Sequence, residues 1–101
     1  MSRVSRPLEE LDKELFKDPE TAALYLAEIL QDNDVELFKL ALKDVAAARL
    51  GSVKALAEKA DVGRESLYKS LSETGNPKLE TLTKVLGAAG LQLSVTAAVT
   101  P

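Results

Sequence analysis

Ser52-Val53-Lys54-Ala55-Leu56-Ala57-Glu58-Lys59-Ala60-Asp61-Val62-Gly63-Arg64-Glu65-Ser66-Leu67-Tyr68-Lys69-Ser70-Leu71 reads as two short helices joined by a tight turn. In the first half Val53, Leu56, Ala57 and Ala60 recur at spacings of three and four, which places them on one helical face that needs a partner. In the second half Leu67 and Leu71 are four apart, and Arg64, Glu65, Tyr68 and Lys69 fall on the opposite, outward face. Between them Asp61-Val62-Gly63 supplies the turn, with Val62 able to plug the core. Ala57 is small where the two helices approach most closely, so they can cross steeply. Two readings stay open: a helical hairpin inside any small all-α domain, or a helix-turn-helix whose second helix enters a DNA major groove.

The chain has 101 residues, enough for one domain with a core that needs no staples. With 46% hydrophobic and 29% charged residues the balance is that of a globular protein. Its apolar stretches are too short to span a bilayer, so no membrane association is expected. There is no cysteine and no histidine, which excludes disulfides, thiolate or imidazole metal sites and the usual Ser-His or Cys-His nucleophile pairs. No metal and no cofactor are expected. Met1-Ser2-Arg3-Val4-Ser5-Arg6-Pro7 lacks the apolar core of a signal peptide, so the expected location is cytoplasmic.

A formal net charge of −3 argues against indiscriminate nucleic-acid binding. Its distribution says more than its sum. Residues 1–48 carry six Lys/Arg against eleven Asp/Glu (6 − 11 = −5), whereas residues 49–90 carry seven against five (7 − 5 = +2). An acidic first half suits a basic protein partner, and a mildly basic remainder suits phosphates.

Along the chain, Leu8, Leu11, Leu15 and Phe16 have helical spacing, so residues 1–17 form an arm or short helix. At Asp18-Pro19-Glu20 a helix begins: aspartate caps, proline fits the first helical position and glutamate complements the dipole. It runs to about Gln31 and is expected to bury Ala22, Leu26, Ile29 and Leu30, with Tyr25 beside them. Asp32-Asn33-Asp34 is a turn and cap, after which Phe38, Ala41, Leu42 and Val45 mark a longer helix that stops at Gly51. Ser52 caps the next helix at once. Residues 72–76 form a loop, and Asn76-Pro77 looks like a repeat of the Asp18-Pro19 device. The last helix is expected to bury Leu79, Leu82, Val85, Leu86 and Ala89 and to stop at Gly90. Five helices therefore make an all-α domain over residues 18–90.

In Leu91-Gln92-Leu93-Ser94-Val95-Thr96-Ala97 the period changes to two, as in a half-buried strand. A lone strand leaves its backbone unpaired, so residues 91–99 are expected to pair with a second copy through Leu91, Leu93 and Val95. The expected state is a homodimer. The alternative is a loose tail with accidental alternation.

From about residue 16 to residue 96 the chain resembles the addiction-module antidote proteins, HigA-like antitoxins of the Cro/repressor-type helix-turn-helix superfamily that partner RelE/HigB-like toxins. The matching residues are Leu42-Lys43-Asp44-Val45-Ala46, Leu56-Ala57, Arg64-Glu65-Ser66-Leu67-Tyr68-Lys69 with Leu71, Gly75-Asn76-Pro77, Thr81-Leu82, Val85-Leu86 and Gly90-Leu91 leading to Leu93-Ser94-Val95. Upstream, Asp18-Pro19-Glu20 and Tyr25-Leu26 match as well. The resemblance implies a five-helix Cro/repressor-like fold, repression of the protein's own toxin–antitoxin operon and neutralisation of a toxin. Two positions depart from the pattern. Asp61 stands where such turns usually hold a left-handed glycine, and Gly63 replaces a serine-like cap.

On the outward face Arg64 can donate two hydrogen bonds to guanine O6 and N7, a contact of roughly 1–3 kcal/mol in discrimination. Tyr68, one turn on, can reach a phosphate or a thymine methyl; Lys69 suits the backbone, and Ser66 either. Glu65 would repel phosphates unless it accepts from a cytosine amine or pairs with Lys69. Lys78, read as lying in the first turn of the last helix, makes a phosphate clamp with Asn76 and the free N–H groups there. Lys54, near the start of the scaffold helix, is a second phosphate contact. Two such helices in a dimer demand a near-palindromic operator. The competing function is a protein-interaction module that keeps the fold, binds DNA little and sequesters a basic partner with its acidic helices. An enzyme is disfavoured, because Glu58 and Glu65 have no histidine, cysteine or glycine-rich phosphate loop around them.

Overall fold

The computed structural model describes residues 10–99, with side chains from residue 13 onward, and six helices follow one another along them: α1 Glu10–Leu15, α2 Pro19–Gln31, α3 Val35–Leu50, α4 Val53–Ala60, α5 Arg64–Ser70 and α6 Leu79–Ala88. Helices α2 to α6 are the five expected from the sequence, and α1 is the short helix of the N-terminal region. Leu8 lies outside the described residues, and of Leu11 only the helical backbone is described. The pair Leu15-Phe16 divides, since Phe16 is buried and Leu15 is exposed.

Local chemistry sets the helix ends. The Asp18 carboxylate accepts hydrogen bonds from the Thr21 N–H at 3.1 Å and the Thr21 hydroxyl at 2.7 Å, with Pro19 in the first turn. The Asp34 carboxylate accepts from the Leu37 N–H and the Ser52 hydroxyl from the Ala55 N–H, each at 3.0 Å. Gly51, at φ 103°, ends α3 in the left-handed region, and its N–H donates to the Ala47 carbonyl. Between α4 and α5, Asp61 takes φ 58° and ψ 46°, the conformation expected for a turn that usually holds glycine there. Gly63 then begins α5 with no side chain to cap it.

Helix α3 is the axis of the packing, in contact with α1, α2, α4 and α6, while α4 also packs on α5 and α6. Its stripe of Phe38, Ala41, Leu42, Val45 and Ala46 is buried. Against it stand Ile29 from α2, Leu56 from α4, Leu67 from α5, Leu71 just beyond α5 and Val85 from α6, each with no exposed surface. Truncating any one of these leucines to alanine leaves a cavity that costs about 2–5 kcal/mol. Val62 packs against this core from the turn, as a plug should.

Arg49, in the last turn of α3, ties the periphery together. Its Nη1 donates to the carbonyls of Phe16 (3.1 Å) and Lys17 (2.8 Å), and its Nε donates to the carbonyl of Ala89 at the end of α6.

Four expectations are corrected. Leu30 is 42% exposed and Leu79 66% exposed, so neither belongs to the core. Asn76-Pro77 does not repeat the Asp18-Pro19 device. Helix α6 begins two residues after Pro77, and its N-cap is Lys78, whose side chain accepts nothing. Lys78 thus precedes the first turn instead of lying within it. Residues 91–99 form no strand; Leu91 packs against the core and its N–H donates to the Leu86 carbonyl, and the rest runs without a ladder because the described residues include no strand to pair with it. No described helix is long and apolar enough to cross a membrane.

Candidate nucleic-acid interface

Helix α5 divides by face. Leu67 and, one residue beyond its end, Leu71 are fully buried, while Arg64, Glu65, Ser66, Tyr68 and Lys69 are exposed together. The alternation follows from the 3.6-residue period: anchoring the two leucines in the core turns the intervening side chains outward. The exposed phenol of Tyr68 has its ring under Lys43 of α3, with Nζ 5.1 Å from the ring centroid. That contact brings a further cation beside the face and limits where the ring can swing. Of the two roles open to Glu65, pairing with Lys69 is not taken: the ion pairs among the described residues are Lys17–Glu14 and Lys84–Glu80, and the Glu65 side chain is exposed on the outer surface.

Lys54 of α4 and Arg64 line one open groove with Ala57, Glu58, Asp61, Val62 and Gly63. The turn therefore brings two of the four cations expected to meet DNA to the same side. It also places two carboxylates, Glu58 and Asp61, in that groove. These oppose anion binding and favour partners that offer hydrogen-bond donors as well as phosphates.

Asn76 and Lys78 are exposed on the connection from α5 to α6. Their place is set by two contacts that the sequence reading missed. A Cβ at Gly75 would stand 2.2 Å from the Lys69 carbonyl oxygen and 2.4 Å from that of Ser70, so only glycine lets the connection press against the end of α5. Lys39, buried on α3, sends its ammonium to the carbonyls of Glu73 (3.1 Å) and Gly75 (2.6 Å). A signal for Lys39 was present, since it lies three residues before Leu42 and seven before Ala46, on the buried stripe. Lys43 carried no comparable signal, because its partner Tyr68 is 25 residues away. Within the described residues no group of His, Cys, Asp or Glu is arranged to hold a metal ion.

With this arrangement in view, comparison with known proteins becomes specific. A model of the family described as probable addiction module antidote protein matches residues 8–97. The chain belongs to this family. The match to the antidotes takes in every described helix and most of the C-terminal segment. An uncharacterized protein of Haemophilus influenzae is 47% identical over 76 residues, covering 75% of this chain and 76% of the relative. No solved structure matches. An antidote of an addiction module acts against a toxin, so membership implies a toxin partner.

Proposed function

We propose that this antidote is a homodimeric, sequence-specific DNA-binding protein, HigA-like and of the Cro/repressor helix-turn-helix type, which represses its own operon and neutralises a RelE/HigB-like toxin in the cytoplasm without enzymatic activity. The observation that carries the DNA-binding part is the division of α5: two fully buried leucines anchor it in the core, and five polar or aromatic side chains are exposed together on its outer face. In this reading α5 lies in the major groove, Arg64 reads a guanine edge, Tyr68 and Ser66 meet a methyl group or the backbone, and Glu65 accepts from a cytosine amine. Lys54, Lys69, Asn76 and Lys78 then grip phosphates on either side. The toxin is expected on the acidic first half of the chain, away from α5.

Binding of the antidote to its own upstream DNA tests this reading, with a scrambled duplex of the same length as the reference. Replacing both Arg64 and Lys69 by alanine is expected to abolish preference for the operator while leaving toxin neutralisation intact. Equal and weak binding of the unaltered protein to both duplexes would instead favour the second reading, a protein-interaction module that sequesters a basic partner. The net −5 of residues 1–48 is the observation on its side.

A further inference from the structure

Between α2 and the segment that follows α6 runs a cavity of about 540 Å³, floored by the buried Leu26, Phe38 and Leu86. Its walls are Ala23, Ala27 and Leu30 of α2 on one side and residues 91–94 on the other. The walls are mostly apolar, with Glu20, Gln92 and Ser94 as their polar members, and half-open: Leu30 is 42% and Leu93 40% exposed. Past Ser94 the chain leaves the cavity without folding back, with Val95 98% and Val99 99% exposed. Among the described residues of one chain nothing covers either the cavity or these valines.

We propose that the cavity is the receiving half of a reciprocal arm exchange, in which residues 95–99 of a second copy lie along α2 and set Val95 against Ala23, Ala27 and Leu30. This rests on the homodimer in the function proposed above and adds where the arm lands. Three features point to a second copy. Donor and acceptor lie on the same chain, and the donor leaves from the rim of the acceptor, so a two-fold axis satisfies both copies at once. Residues 91–99 contain no charged side chain, so the arm brings no second carboxylate to the Glu20 that lines the acceptor, and two molecules of net charge −3 meet there without like charges opposed. An extended segment with alternating apolar residues and no charge or proline through residue 99 has none of the devices that keep free edges from pairing. A basic protein partner would find no acid on this arm, and nucleic acid would find no cation.

The chain has no cysteine, so single-cysteine variants report contacts without background. Full-length Ala27→Cys and Val95→Cys proteins, mixed and oxidised, are expected to give a mixed disulfide-linked dimer distinguishable by mass. In sedimentation equilibrium the unaltered protein should be dimeric. Ala27→Glu and Val95→Glu should each weaken dimerisation at least about tenfold, with Leu24→Glu on the neighbouring face of α2 as a control that does not. A monomer at every concentration overturns the dimer and the arm exchange together. A dimer in which Val95→Cys links only to itself, and which Ala27→Glu leaves intact, overturns the arm exchange and leaves simple strand pairing between copies. The crosslink decides the matter even if a glutamate variant fails to fold.

Discussion

Lys39 shows how a charged side chain can serve as a fastener. Buried on α3, its ammonium donates to the carbonyls of Glu73 and Gly75, which would otherwise face the protein without donors, and this pins the connection that carries Asn76 and Lys78. Lys39→Ala is expected to lower stability by about 2–3 kcal/mol, the loss of two charge-assisted hydrogen bonds, as read by chemical denaturation. It should also weaken operator binding, although Lys39 itself faces the interior. Two aspartates give opposite pH signatures. Hydrogen bonds from Thr21 to the Asp18 carboxylate hold its pKa below the ordinary value, so the cap stabilises α2 above the carboxylate range and is lost as pH falls through it. Burial raises the pKa of Asp44 despite the nearby Lys43 and Lys13. Its ionised form is therefore disfavoured in the folded state, and the cost is present at neutral pH and relieved as the group protonates. Asp44→Asn is expected to melt higher than the parent at pH 7, with the difference shrinking toward about pH 4. A difference that grew on acidification would refute the burial argument.

At the level of the element, the α4–turn–α5 unit depends on one awkward residue. Asp61 at φ 58° occupies a region where side chains crowd the backbone, and aspartate tolerates it better than most but less well than glycine. Asp61→Gly is expected to be neutral or to stabilise by up to about 1 kcal/mol, since relief of strain outweighs the added freedom of the unfolded chain. It also removes one of the two carboxylates beside Lys54 and Arg64, so DNA affinity should rise even if stability stays level. A loss of more than about 1 kcal/mol would mean that the Asp61 side chain supports the turn in a way its backbone angles do not reveal. Helix starts at 18–19, 34 and 52 were legible because Asp18, Asp34 and Ser52 cap within their own turn. The start of α6 was not, because Asn76 makes no capping bond there and the chain needs two more residues to come round the end of α5.

Across the whole molecule, the acidic excess lies in residues 1–48 and the basic one in residues 49–90, while α3, with Lys39, Lys43 and Arg49 against Glu36 and Asp44, is itself net basic and brings Lys43 beside α5. Affinity for operator DNA should fall linearly on a logarithmic salt scale, and Lys54→Ala and Lys78→Ala should each reduce that slope by about one phosphate contact. An unchanged slope in either variant would remove that lysine from the interface.

The sequence alone determined the five principal helices, most of their ends and the two faces of α5, because each depends on spacing or capping within a few residues, while the left-handed turn at position 61 was implied by the family resemblance. The exposure of Leu30 and Leu79, the fastening by Lys39 and Arg49, and the contact of Lys43 with Tyr68 were decided only by the tertiary structure. Each of these depends on a neighbour far along the chain, and periodicity says which face a residue occupies but not whether another element arrives to cover it.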